Sequence, residues 1–344
     1  MAYVRVHLAH PYIDDDALTA QNSELFHYTS ADALDRILSA GGLWATHYRR
    51  LSDESEFSLA SESIANRIYL AKRKFLRREI ERRPRVKNRI AKDGRTIEQV
   101  IRDDSQTIPR TIAKLSDKYT PMHVTSFAAH VRDHEKTGGI LSLWREYGRI
   151  EGVAIRFDTG RLQAILSEIK ARQKYHGLFL SKVTYGETDP TFIERVQGAT
   201  GLEELYEVVA RSIIAGKRAE LPRSFEEEVA KFMVTSISHK HPSFEDEREI
   251  RLVASPLTTA EPFDRPVDEP DWLDRVEGSS RLLIRCVDAI DGVMIAPLCG
   301  QAEIEQKVLR ILSMHGRVDV PVVHSDTPIR GRIVPVATNR AACP

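Results

Sequence analysis

The tightest constraint on this chain's fold lies in residues 24–46. Glu24–Ser30 (ELFHYTS) alternates as a half-buried strand does and ends in polar groups. Ser30 suits a helix N-cap, and Asp32 falls in the first turn, where the helix dipole favours negative charge. Beyond it, Ala33, Leu34, Ile37 and Leu38 recur at helical spacing, and Gly41-Gly42 supply the stop. Leu43–Thr46 then read as a second strand. Strand, capped helix and strand in so short a span commit the front of the chain to a sheet with a helix laid on it.

The rest alternates less regularly. Residues 53–120 read as a helical insertion dense in charge. Strands are expected at Met122–Phe127, Gly152–Phe157, Lys182–Tyr185 and Glu249–Ala254, with apolar strand-like runs at Leu282–Cys286 and Gly292–Ala296. Helices are expected at Ile140–Tyr147, at Arg161–Arg172 behind an Asp158 cap, through 190–239, and at Gln301–His315. Pro256–Pro270 reads as a loop. Val318–His324 reads as a last strand, at a sheet edge because it contains Pro321. The irregular order, and the lack of GxGxxG or GxxxxGK[ST] phosphate loops, argue against a doubly wound nucleotide-binding sheet. The expected class is α+β: one domain over 1–344, a mixed or antiparallel sheet core, and a C-terminal strand–helix–strand extension over 280–344.

Formal net charge is zero, with 50 basic and 50 acidic residues, so overall charge favours neither nucleic acid nor membrane. No stretch reaches the roughly 18 apolar residues of a membrane span. Met1–Ala20 has no signal-peptide core. Cys286, Cys299 and Cys343 fit no metal pattern, and His123, His130, His134, His239 and His241 lack ligand spacing. A cytoplasmic protein with free thiols, no membrane partner and no metal is expected.

Several segments could carry chemistry. His27 and Tyr28 end the first strand, where a ring with a donor and an acceptor is held rigidly, or where a satisfied structural histidine sits. In Phe244–Arg251 (FEDEREIR), Glu247, Glu249 and Arg251 alternate and would share a strand face. Two carboxylates and a guanidinium on one face are costly to bury unless paired. Arg251 or Lys240 would then orient one carboxylate while the other faces substrate; the alternative is a solvated edge with cross-paired charges. Trp144 and Tyr147 lie three apart on a helix and could stack on a planar ring or pack in the core. Leu51–Glu56 (LSDESE) reads as a plain helix start capped by Ser52 or Asp53. Between Lys72 and Arg95 twelve cations face only Glu79, Glu81 and Asp93, a surface that could grip nucleic acid phosphates or simply be solvated.

Taken in order, Leu25–Ser30, Leu43–Thr46, Leu51-Ser52-Asp53, Thr125-Ser126-Phe127, Leu143–Gly148, Gly152–Phe157, Lys240, Phe244–Arg251, Ile290–Ala296 and His324–Arg330 resemble a bacterial family, DUF2971. A more distant similarity is to ADP-ribosyltransferase folds, which often carry a His or Arg on the first strand, a Ser or Tyr on a middle strand and a late Glu in Glu-x-Glu. The resemblance implies His27, Ser126 and Glu249 for these three, with Glu247-Arg248-Glu249 as the Glu-x-Glu. It implies NAD as substrate, Glu249, Glu247 and His27 as catalytic groups, and a nucleotide site built from His27, Tyr28, Thr29, Ser126, Phe127, Trp144, Tyr147 and Arg251. The stacking aromatic is Tyr28, Phe127 or Tyr147. The implied activity is ADP-ribosyl transfer or NAD glycohydrolysis, as in a defence or toxin effector. The alternative is a nucleic-acid-binding effector using Lys72–Arg95, or a non-catalytic sensing module.

Overall fold

The structure, a computed structural model, describes residues 15–51, 55–85, 94, 96–119, 121–148, 150–172, 175–198, 225–256, 281–297 and 300–328. After helix α1 (Asp15–Gln21) the front unit forms as its sequence dictates: β1 (Glu24–Ser30), α2 (Ala31–Ala40), β2 (Leu43–His47). The Ser30 hydroxyl accepts the Ala33 N–H at 3.2 Å, and Gly41 ends α2 at φ 73°, a left-handed conformation that favours glycine. Among the described residues the helical insertion shows two helices, α3 (Ser55–Arg82) and α4 (Ile97–Tyr119). The expected Ser52 or Asp53 cap lies outside the described residues. The elements that follow are β3 (His123–Ala128), α5 (Asp133–Gly138), α6 (Leu141–Tyr147), β4 (Gly152–Asp158) and α7 (Thr159–Ala171), whose first turn the Asp158 carboxylate caps at 2.7 Å. Then come β5 (Tyr175–Lys182), β6 (Thr184–Tyr185), α8 (Pro190–Gly198), α9 (Phe225–Ile237), β7 (His239–Lys240) and β8 (Glu249–Pro256). The chain continues with β9 (Arg281–Ile284), β10 (Ile290–Ile295), α10 (Gln301–Met314) and β11 (Val322–His324). The fold is mixed α and β around a mostly antiparallel open sheet.

Three expectations change. β5 is a full eight-residue strand where only 182–185 looked like one; its Gly177 and polar ends hide the alternation. β11 begins after Pro321 rather than at Val318, though it does lie at the sheet edge. The C-terminal part is more than an extension, because β9 joins β2 on one side while β10 joins β4 on the other. Pro256 ends β8, and the rest of the expected loop to Pro270 lies outside the described residues, as do 199–224, Cys299 and Cys343. Cys286 is a free, buried thiol, and burial pushes its pKa up to about 12.

The sheet is split. On one edge β3 pairs with β8 along its whole length. On the other edge β2 meets it only at His123 and Val124, and β1 meets it only at Ala128. Among the described residues, 125–127 thus have an edge open between two leaves, β11-β10-β4-β1 and β5-β8-β3-β2-β9.

The two faces of the sheet differ. One carries a continuous core: Leu25, Phe127, Ile155, Phe157, Ile250 and Leu252 pack under α2, α7 and α10. The other carries two separate clusters. Phe26, Tyr28, Ala128, Ala154 and Met294 pack with α6. Val124, Phe179 and Val253 pack with α3 and α9. Between Val124 and Ala128 on β3, and beside Val253 on β8, the same face presents Ser126, Arg251 and Glu249. A polar seam divides the two apolar clusters.

Candidate functional site

The seam is built by four elements. Glu249 starts β8 opposite Ala128, and Arg251 sits opposite Ser126. Both are buried, at 4% and 2% exposed. Arg251 Nε donates to Glu249 Oε1 at 2.8 Å and Nη2 to Oε2 at 3.1 Å, while Nη1 donates to the Ile237 carbonyl. Lys240, on β7, lies 2.9 Å from Glu249 Oε2 and 2.8 Å from Glu247 Oε2. The Ser126 hydroxyl donates to Glu249 Oε1, and the Glu249 backbone N–H donates to the Tyr185 hydroxyl at 2.8 Å. Burial alone would raise the Glu249 pKa. The Arg251 and Lys240 charges and the Arg251 and Ser126 hydrogen bonds outweigh it and hold the carboxyl at about 2. Glu249 is a permanent anion at neutral pH.

Glu247 reaches the seam by a different route from the expected one. It ends a 3₁₀ turn, Pro242–Glu247, and Arg248 follows at φ 45°, so the strand begins only at Glu249. Glu247 is therefore not a strand neighbour of Glu249 and Arg251, and Lys240 is what couples it to them. A left-handed arginine is strained backbone. Its guanidinium is held by Glu135, a buried carboxylate that also accepts the Val131 and Arg132 N–H groups at 3.0 and 2.9 Å. The Arg248 carbonyl accepts the Ala129 N–H at 3.2 Å.

Ser126 is exposed even though it lies on the central strand, because the sheet edge beside it is open. Into that opening His27 Nδ1 donates to the Ser126 carbonyl at 2.9 Å. Burial lowers the His27 pKa, so the ring is neutral with its proton on Nδ1. Nε2 meets no partner among the described residues, which leaves it as an acceptor. By strand alternation His27 belongs with Leu25 and Phe127 on the continuous face, and its ring lies edge-on to Phe127 at 6.1 Å. Glu249 belongs to the other face. The two meet through Ser126, whose carbonyl takes His27 and whose hydroxyl serves Glu249.

The remaining expected ligand contacts separate by burial. Trp144, 2% exposed, donates from Nε1 to the Gly138 carbonyl at 2.7 Å and packs against Tyr28. Tyr28 accepts the Ile140 N–H at 2.7 Å and contacts His130 Nε2 at 2.8 Å. Phe127 packs against Phe157 in the core. These three rings are buried and engaged in packing. Thr29 is half-buried on β1 opposite Val153. Tyr147 differs: it is 50% exposed, and its hydroxyl lies within electrostatic reach of Glu247, Lys240 and Glu249. Phe244, also partly exposed, lies under Lys240 at 5.1 Å.

Sequence reasoning passed over Tyr185 and Glu135 and weighed His130 only as a metal ligand. His130 stacks on Phe26 at 3.6 Å, and burial lowers its pKa to about 3. None of the three lies in a pattern that singles it out; each is recruited by tertiary contact.

Residues 143–252 match the sequence model of a family described as a protein of unknown function, DUF2971. That segment is similar to DUF2971. It begins in α6 and ends inside β8, so it contains Tyr147, Lys240, Glu247, Glu249 and Arg251, but neither His27 nor Ser126. The matched segment thus supplies the charged half of the seam, and the chain before it supplies the open edge. No curated protein and no solved structure matches the chain. Among the described residues, no helix is long and apolar enough to cross a membrane.

Proposed function

We propose that this protein consumes NAD, cleaving the nicotinamide–ribose bond and passing ADP-ribose to water or to a nucleophilic acceptor. One observation carries the proposal: His27, Ser126 and Glu249, far apart in sequence, are joined through Ser126 at the open edge of the central strand. The same residues, in the same order, carry the similarity to ADP-ribosyltransferase folds. A ligand reaches the Ser126 and Glu249 side by that edge, where, among the described residues, neither β1 nor β2 covers residues 125–127.

In this reaction the C–N bond breaks, nicotinamide leaves with the electron pair, and positive charge develops on the ribose. A carboxylate that stays ionised stabilises that charge more than it stabilises bound NAD. Glu249 has that property, and Ser126 and Arg251 fix its orientation. Its two oxygens are already engaged by Arg251, Ser126 and Lys240, so a ribose hydroxyl reaches Oε2 as Lys240 withdraws toward Glu247. Glu247, more exposed and bound by Lys240 through Oε2, takes the proton of the attacking water or acceptor. Neutral His27 accepts a ribose hydroxyl or carboxamide N–H at Nε2. Tyr147 is the ring free to stack on nicotinamide.

The test is nicotinamide release from NAD by wild type, Glu249→Gln and Glu247→Gln. Loss of Glu249 should slow release by at least about 10²-fold. Because Glu249 is buried, its variant is compared by thermal melt first, and the more exposed Glu247→Gln serves as the second arm, with a smaller loss expected. Equal release from wild type and both variants, or no release from wild type, sinks the proposal.

A further inference from the structure

The helix pair α3–α4 carries a surface that the seam does not use. Along α3, Phe75, Leu76 and Lys72 are buried, and Phe75 and Leu76 pack against Ile101 of α4. Lys72, 1% exposed and paired with Asp104, fastens the two helices together and is therefore not part of the basic surface expected over Lys72–Arg95. Lys74, Arg77, Arg78 and Arg82 are exposed on the opposite arc, about 140° wide at 100° per residue. Arg83 and Arg85, exposed just past the helix end, extend the surface. From Lys74 to Arg85 the sequence sets only Glu79 and Glu81 against these six cations, and among the described residues one ion pair relieves them, Arg82 to Glu79 at 3.8 Å. The expected Lys87, Arg89, Lys92 and Arg95 lie outside the described residues.

We infer that this arc of α3 is a docking surface for duplex nucleic acid. Lys74 to Arg82 spans about 12 Å of helix axis. A duplex carries one phosphate charge per about 1.7 Å of its axis, so an array of this length meets several phosphates at once. Five of the six cations are arginines, whose planar fork binds phosphate oxygens in pairs. An acidic protein partner is the weaker match. Protein interfaces centre on aromatic or apolar anchors with few charges, and Lys74–Arg85 exposes no large apolar side chain. The surface stands off from the seam. Ser63 of α3 bonds Glu187, just past β6, at 2.5 Å, and Arg82 lies nineteen residues, about 29 Å, further along the helix. The inference is independent of the NAD proposal.

The experiment is fluorescence anisotropy of a labelled mixed-sequence DNA duplex of about 20 base pairs, titrated with full-length protein without NAD across salt concentrations. The variant is Arg77→Glu with Arg78→Glu and Arg82→Glu, all exposed. The control reverses exposed charges elsewhere, Arg161→Glu with Arg310→Glu. Wild type should bind with a steep salt dependence. The triple variant should lose on the order of 10²-fold in affinity at about 0.1 M salt, with a slope shallower by about 0.9 per lost contact. If the triple variant melts early, Arg→Gln at the same positions replaces it and should show a smaller loss in the same direction. Absence of binding at about 50 mM salt, equal losses in the triple and control variants, or tighter binding to poly-glutamate than to the duplex overturns the inference.

Discussion

The two faces of the sheet are made by the same strands and do different work. On one, β1, β3, β4 and β8 send Leu25, Phe127, Phe157, Ile250 and Leu252 into one unbroken core. On the other, the same strands leave two apolar clusters with Ser126, Glu249 and Arg251 between them. Sequence neighbours therefore have opposite fates: Arg251 closes a charge cluster while Leu252 fills a core. A continuous face stabilises the sheet and is indifferent to pH. A seam of buried ions spends stability, stays ionised over a wide pH range, and leaves its exposed flank, Ser126 and Tyr147, open to a ligand.

The sharpest way to break this contrast is to change adjacent residues on the two faces. Arg251→Met leaves the buried Glu249 with Lys240 as its one remaining cation and the Ile237 carbonyl without its donor. It should cost about 3–5 kcal/mol, because an uncompensated buried charge remains. Leu252→Ala, on the continuous face, should cost about 2–5 kcal/mol by cavity formation. Chemical denaturation at pH 7 and pH 4 separates them. The Arg251→Met deficit should shrink toward low pH as Glu249 takes up a proton, whereas the Leu252→Ala deficit should not move. A pH-independent Arg251→Met deficit would place that residue with the core.

Sequence periodicity exposed the continuous face well. Leu25, Leu34, Ile37, Leu162 and Val308 lie on simple strand or helix patterns. The seam was half legible. Glu249 and Arg251 share a face by alternation, and Lys240 was in view as their partner. The strand start at Glu249 was legible, but the face shared with Glu247 held only if the strand reached back to it, and nothing in FEDEREIR signals the left-handed turn at Arg248. The split edge that exposes Ser126 was invisible, because it depends on where β1 and β2 each leave β3, a property of tertiary pairing. Which aromatic is buried was equally open. Trp144 and Tyr147 do lie on one helix, but the Gly138 carbonyl and Tyr28 draw only Trp144 inward.

A second contrast is in acid. Glu249 is held at about 2 in the folded protein against about 4.5 when unfolded. A carboxyl with a depressed folded pKa contributes stability that is complete above its unfolded pKa and fades as pH falls through the folded one. The window therefore runs from about pH 5 down to about pH 2, and the contribution is on the order of 3 kcal/mol. His130, lowered to about 3 by burial, follows the same sign but begins fading near its unfolded value of 6.5. Denaturation midpoints of wild type and Glu249→Gln should thus converge between pH 5 and pH 2, after an earlier decline common to both. A constant gap across that window would mean that the carboxylate is not ionised in the seam.

The smallest effect tests whether a buried charge alone makes a site. Lys72 is as buried as Arg251, yet its environment differs in kind. Its partner Asp104 is 48% exposed, so losing the ammonium returns that carboxylate to water instead of stranding it. The same helix contact is apolar at Phe75, Leu76 and Ile101, and a methionine of similar length suits such surroundings. Lys72→Met should therefore change stability by no more than about 1 kcal/mol, with little pH dependence between 4 and 8. Nicotinamide release should stay at the wild-type rate, because the pair holds two helices together and faces no open edge. A loss comparable to that of Arg251→Met would show that the helix pair and the seam are energetically one unit.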